Sequence, residues 1–200
     1  MAKRLFDIFF ASVGLLALSP ILLFIAIWIK LNSSGPVFFR QERVGQYGQL
    51  FSIHKFRTMY TQQSNQCMQL TVGNDSRITS AGFFLRRYKI DELPQLIDVL
   101  FGTMSLVGPR PEVPKYVACY PDDLRELVLS VKPGITDLAS IEFKDESSIL
   151  GQSDNPELTY QTDILPIKLD YYVRYAKKND LLTDFKLILR TLKAVLLAGR

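Results

Sequence analysis

The stretch "IFFASVGLLALSPILLFIAIWI", residues 8–29, holds 22 consecutive residues without a formal charge. As a helix it is long enough to cross a hydrocarbon core of about 30 Å. A cleavable leader fits it poorly. "ALS" at 17–19 resembles a cleavage site, but the apolar run continues past it and Pro20 follows directly. A membrane segment is therefore expected over 1–32, in preference to a buried helix of a soluble domain. Pro20 has no N–H to give the Leu16 carbonyl, so a kink is expected there, with the Ser19 hydroxyl placed to satisfy the freed group. Lys3 and Arg4 precede the segment, and Lys30, Arg40 and Arg43 follow it. Cations at both ends give no orientation under the positive-inside rule. Two solutions stay open: a helix that spans, and one that bends at Ser19-Pro20 and leaves on the side it entered.

The other end has a different pattern. "DLLTDFKLILRTLKAVLLAGR" (180–200) opens with Asp180 as N-cap and repeats Leu181, Phe185, Ile188, Leu189, Leu192 and Leu196 at helical spacing, with Gly199 near its end. Lys186, Arg190 and Lys193 occupy much of the remaining surface. Such a helix lies in a membrane interface or packs on the domain with its basic face in solvent.

Between these ends, residues 33–179 form a polar domain. Segment 33–45 reads as turn, short strand, turn, and 49–59 as a strand with Phe51, Ile53, Lys55 and Arg57 on one face. Helices are expected over 79–88, 92–102 (ended by Gly102) and 163–178, with one or two more in 111–131. The class is α+β and helix-dominated. The chain has 200 residues and a net charge of +4, which favours anionic partners but is too small to argue for nucleic acid. A single histidine, His54, excludes a His-rich metal site. Cys67 and Cys119 match no metal or redox spacing.

Three stations carry phosphate chemistry. Lys55 and Arg57 form the first, on their shared strand face. In the second, "LRRYKIDELPQL" (85–96), Arg86, Arg87 and Lys89 lead into Asp91 and Glu92, with Pro94 just beyond. Asp91 reads as the N-cap of the following helix, where free N–H groups attract phosphate and favour an ionised carboxylate. An ionised carboxylate can attack phosphorus, and adjacent carboxylates can hold Mg²⁺ against phosphate oxygens. The third is "SLVGPRPEVP" (105–114), in which two prolines restrict the approach of Arg110, a side chain suited to bidentate phosphate binding.

The pieces "KRLFDIFFASVGLLALSPILLFIAIWIKL", "GPVFFRQERVG", "HKFRTM", "DELPQLIDVL", "MSLVGPRPE" and "VKPGIT" stand in the order of one family. Nearly the whole chain resembles the bacterial sugar transferases, the monotopic phosphoglycosyl transferases, in their minimal catalytic form. The resemblance implies a re-entrant helix-break-helix at Ser19-Pro20, on the cytoplasmic face of the bacterial inner membrane. It implies transfer of a sugar 1-phosphate from a UDP-sugar to undecaprenyl phosphate with release of UMP, as the first membrane step of glycan assembly. Membrane lipid and downstream glycosyltransferases are the further partners implied. Asp91 matches the family's nucleophile, which forms a covalent phosphosugar intermediate. Glu92 matches its acidic neighbour, Mg²⁺ is the implied cofactor at this pair, and Arg110 matches a phosphate- or nucleotide-binding arginine. Lys55, Arg57 and Arg86 match further basic positions.

Two departures stand out. "PGIT" continues with Asp137 and Leu138 in place of the common Gly-Trp, and Thr103 replaces an aspartate. They bear on residues 135–160, a region expected near the sugar. The rival from another class is a catalytically silent scaffold that binds nucleotide or lipid phosphate. The intact Asp91-Glu92 pair argues against it.

Overall fold

The computed structural model describes residues 1–61, 70–72, 75–143 and 146–197. Cys67 and Gly199 lie outside them. Helices dominate and the strands are few and short, as the sequence led us to expect.

α1 (Ala2–Asn32) is a single helix of 31 residues, and it continues through Pro20. The break expected at Ser19-Pro20 is thus not an interruption of secondary structure. The cause is local: Ser19 Oγ donates to the Leu16 carbonyl at 2.8 Å, the group that Pro20 leaves unserved. Among the described residues α1 alone is long and apolar enough to cross a membrane. Yet it does not stand clear of the domain. Asp7, Ala11, Ile25 and Ile29 are buried, and Leu15, Leu18 and Leu22 pack along the same stripe. Asp7 Oδ1 accepts from the Leu106 N–H and the Ser105 hydroxyl, both at 3.1 Å. Arg4 donates to the Val99 and Leu100 carbonyls at 2.5 and 2.9 Å, and Asn32 Nδ2 to Ser80 Oγ at 2.7 Å. Lys3 bonds Asp184, Tyr175 and the Val107 carbonyl. Lys3 and Arg4, read as flanking membrane charges, are structural donors that tie this end of α1 to the domain that also holds its other end. The outer face of α1 leaves Phe9, Val13, Leu16, Leu23, Phe24 and Ile27 exposed.

β1 (Phe38–Val44) and β2 (Leu50–Phe56) form an antiparallel hairpin, with Phe39 opposite Lys55 and Arg40 opposite His54. α2 (Ser80–Arg87) is capped by Thr79, whose hydroxyl accepts from Gly82 N–H at 2.9 Å. α3 (Gln95–Phe101) ends at Gly102, whose φ of 85° is the left-handed turn that glycine adopts without strain. β3 (Ser105–Val107) pairs in parallel with β4 (Gly134–Thr136). A Cβ on Gly134 would lie 2.0 Å from the Gly108 nitrogen, so this approach requires glycine. α4 (Pro114–Val117), α5 (Asp122–Leu129), α6 (Leu138–Glu142), α7 (Glu146–Gly151) and α8 (Pro156–Thr159) follow. A π turn (Tyr160–Ile164) then leads into α9 (Leu165–Lys177). The largest core gathers Val113, Tyr116, Tyr120, Tyr160, Leu165 and Tyr172.

α10 (Leu181–Leu197) starts at Asp180 as expected, with Asp180 Oδ1 accepting from Thr183 N–H at 2.8 Å. Its inward face differs from the apolar stripe in the sequence. Asp184 and Leu187 are buried, whereas Leu182, Phe185, Leu189 and Leu192 are exposed. Asp184 is buried because Lys3 and Tyr175 neutralise and bond it, Tyr175 OH at 2.8 Å. α10 therefore packs on the domain and also presents an unpartnered apolar stripe.

Candidate active site

Three segments bring charge together. β2 supplies Lys55, the 3₁₀ turn Ile90–Glu92 supplies Asp91 and Glu92, and the loop after β3 supplies Arg110. Lys89 enters the turn with φ 55° and ψ 20°, a left-handed conformation uncommon for a residue with a side chain. α3 begins only at Gln95, with Pro94 as its cap residue, so Asp91 lies a turn too early to cap it. The capping role expected of Asp91 is not found. The turn closes on its own backbone instead, Leu93 N–H bonding the Ile90 carbonyl at 3.2 Å.

Glu92 is the hub. Lys55 Nζ donates to its Oε1 at 2.8 Å, Arg110 Nη1 to its Oε2 at 3.1 Å, and Arg110 Nη2 also to Oε1. Burial pushes the Glu92 carboxyl up, but Arg110 and Lys55 outweigh it and hold it well below the usual range. Glu92 in turn raises Arg110 well above its ordinary value. Burial lowers Lys55 to about 8, against the attraction of Glu92.

Asp91 behaves oppositely. It is 8% exposed, and its Oδ1 is buried without a hydrogen-bond partner. Burial first and Glu92 second push its carboxyl above the ordinary value, while Lys55, Arg86 and Lys89 oppose them. An unbonded buried carboxylate oxygen is costly, on the order of 1–3 kcal/mol or more, and such strain is typical of a group kept ready for a reacting partner. One turn on, Gln95 is 1% exposed and its Nε2 is also unpartnered. The ionisation expected of Asp91 from a helix N-terminus is thus replaced by a balance between burial and three cations.

The other basic residues divide. Arg86 reaches Thr71 Oγ1 at 2.8 Å and Thr58 Oγ1 at 3.5 Å and acts on Asp91 electrostatically. Arg57 lies beyond the end of β2. Its Nη2 donates to the Ser33 carbonyl at 2.6 Å and Ser33 Oγ at 2.9 Å, closing the C-terminal end of α1. The structure therefore does not bring Arg57 into the Glu92 cluster; the free carbonyls ending a helix attract a guanidinium.

A second buried cluster escaped the sequence reading. Glu112 accepts from Tyr160 OH at 2.7 Å and Lys168 Nζ at 3.3 Å, and Arg43 stands 3.8 Å away. Lys168 also bonds Glu146 at 2.9 Å. The signal was present: Lys168 falls on the stripe Leu165, Leu169, Tyr172, Tyr175, Ala176 that α9 buries. The departures have structural employment as well. Thr103 Oγ1 donates to the Asp98 carbonyl at 3.1 Å. Asp137 caps α6 by accepting from Ser140 N–H at 3.0 Å.

For a divalent cation the donor set is small. Among the described residues no group of three or more candidate ligands exists. Both Glu92 oxygens are taken by cations, and Asp91 Oδ1 is buried and unpartnered. Such a pair fits a magnesium ion that draws most of its ligands from water and substrate phosphates.

Residues 1–198 match the sequence pattern of the family described as bacterial sugar transferase. The chain belongs to that family. The UDP-glucose:undecaprenyl-phosphate glucose-1-phosphate transferase of Klebsiella pneumoniae is 38% identical over 192 residues, which cover 94% of this chain and 39% of that protein. The Escherichia coli K12 protein of the same name is 36% identical over 194 residues, 39% of its length. This sugar transferase chain thus spans well under half of those relatives. It is 37% identical over 212 residues to the exopolysaccharide production protein PSS of Rhizobium leguminosarum bv. phaseoli, covering 99% of the chain and 96% of that relative.

Proposed function

We propose that the chain transfers a sugar 1-phosphate from a UDP-sugar, with UDP-glucose as first candidate, to undecaprenyl phosphate. The observation that carries this reading is Asp91: a carboxylate whose Oδ1 is buried and unpartnered, next to two cations held in register by Glu92. An Asp91 oxygen forms a bond to the phosphorus that bears the sugar. The bond from that phosphorus to the bridging oxygen breaks, and UMP leaves with the electron pair. An oxygen of the lipid phosphate then attacks the same phosphorus, and Asp91 leaves unchanged. One phosphoanhydride is broken and one is made. Lys55 and Arg110 stabilise charge on the transferring group and the leaving UMP. Asp91 and Glu92 are the residues that would hold magnesium, which when bound neutralises phosphate oxygens.

α1 gives the site its lipid. Its inner stripe is packed on the domain at both ends, and its outer face is apolar. That arrangement supports a helix immersed in one leaflet over one that spans; the cytoplasmic face of the inner membrane is the location that the family resemblance implies. The exposed stripe of α10 extends the same apolar character. Thiol labelling of cysteines placed at residues 1 and 34 tests this: both flanks should label from one side, and labelling from opposite sides sinks it. For the reaction, UMP release should require both UDP-glucose and undecaprenyl phosphate. A chain that binds both yet releases no UMP with any UDP-sugar is the silent scaffold instead.

A further inference from the structure

The two cations best placed to bind a diphosphate are already occupied by an anion of the chain itself. Lys55 Nζ sits 2.8 Å from Glu92 Oε1, and the Arg110 guanidinium grips both Glu92 oxygens, with Nη1 at 3.1 Å from Oε2. All three groups are shielded: the side chains of Lys55, Arg110 and Glu92 are 15%, 26% and 11% exposed. This is the geometry in which a guanidinium fork and an ammonium hold a phosphate. A carboxylate offers two oxygens to the fork much as a phosphate does. Asp91, adjacent in the chain and also buried, makes no such contact through Oδ1.

We propose that Glu92 is a phosphate stand-in: it fills the Lys55–Arg110 anion site in the empty protein and is displaced from it by a substrate phosphate. Glu92 so acts as a positioning residue. It keeps two buried cations paired and aimed, at the cost of competing with the ligand. On displacement its carboxylate is freed, and with Asp91 it would be available to hold a magnesium ion, which would supply charge to the bound phosphates. Two observations fit this exchange. Both carboxylate oxygens that a metal would need are engaged by Lys55 and Arg110, and these cations come from separate segments, β2 and the Pro109–Pro111 loop, which Glu92 joins directly. The proposal rests on the reading of this cluster as a phosphate site. It does not depend on which nucleotide sugar or lipid phosphate supplies the phosphate.

The test is metal-free binding of inorganic pyrophosphate, in EDTA, to the detergent-solubilised full chain by calorimetry. Glu92→Gln removes the competing charge and should tighten pyrophosphate roughly ten- to a hundredfold, the equivalent of losing a charged hydrogen bond that competes with the ligand. Asp91→Asn removes the same unit of charge from the neighbouring position, which bonds neither cation, and should tighten it clearly less than Glu92→Gln does. Equal tightening in both variants would mean simple charge removal and would overturn the proposal, as would unchanged or weaker binding in Glu92→Gln. Glu92→Asp keeps the charge and shortens its reach; an intermediate gain supports the stand-in, and no gain counts against it. UDP-glucose and a short-chain polyprenyl phosphate, run as separate arms, assign the source of the phosphate. If Glu92→Gln tightens pyrophosphate but no UDP-sugar yields UMP, the stand-in survives and the transferase reading fails.

Discussion

Arg110 and Glu112 are two residues apart and belong to buried charge clusters of opposite kinds. Around Glu112 both carboxylate oxygens are served: Tyr160 and Lys168 bond one oxygen, Arg43 faces the other through Nη1 while its own Nε stays buried and unpartnered, and Lys168 has Glu146 as a second partner. Around Glu92 the bonding is open at one edge, where Asp91 Oδ1 and Gln95 Nε2 are buried and unpartnered. The carboxyl groups report the same division. Glu112 is held below its usual value, since Lys168 and Arg43 outweigh the burial that pushes it up. Asp91 is pushed above its usual value. A closed network stiffens a fold, whereas an open one leaves a polar group to be completed by something that arrives. Charge and burial alone do not separate the two; what differs is whether the carboxylate oxygens are bonded, as in Glu112, or left over, as in Asp91.

The comparison is broken most severely at its open edge. Asp91→Asn should lower UMP release by about 10⁴-fold or more, the scale for loss of a nucleophile. It should leave the melting temperature unchanged or slightly raised, because a buried carboxylate with an unbonded oxygen is removed. Full turnover in this variant would end the nucleophile assignment. The closed cluster should respond in the opposite way. Lys168→Ala strands Glu112 in the interior and should cost about 3–5 kcal/mol of stability, read by denaturant unfolding. Turnover well below the unfolding transition should stay within a few-fold. If Lys168→Ala instead leaves stability intact and abolishes turnover, the division between the clusters is wrong.

Much of this was legible in the chain, and the parts that were not share a cause. The helical bias, the hairpin strands, the Thr79-led helix and the Asp180 cap follow from local signals: periodicity, alternation and capping residues. The meeting of Lys55, Glu92 and Arg110 did not follow from any local signal; it was expected only because three cationic stations and an acid pair read together as one phosphate site. Three things depended on partners far along the chain. Lys3 and Arg4 looked like topogenic charges, but Asp184 lies 181 residues from Lys3 and the Val99 carbonyl 95 from Arg4. Arg57 shared a strand face with Lys55 in the pattern, yet β2 ends at Phe56 and the end of α1 captures the guanidinium. Glu112 is unremarkable until α9 carries Lys168 and the π turn carries Tyr160 to it. Side-chain pattern gives the face; only the fold gives the partner.

The smallest effect concerns Lys55, which joins the open cluster to solvent pH. Its ammonium must be protonated to face a phosphate, and burial lowers it to about 8. In the free protein kcat/KM should therefore be level below that point and fall as pH rises through about 8, since this ratio reports groups of the unliganded enzyme. Alkaline unfolding would give a similar fall, but its sign differs. The folded value of Lys55 lies below the unfolded one, so between about 8 and the ordinary lysine value the unfolded chain holds more of this proton. The contribution of Lys55 to stability consequently rises with pH across that window. Activity should decline while stability, as far as this residue governs it, improves. Lys55→Arg separates the cases, because a guanidinium stays charged throughout. It should remove the alkaline limb near pH 8 and lower the plateau a few-fold, since an arginine fork is not an ammonium. A limb that persists unchanged in Lys55→Arg would assign the titration to another group of the site.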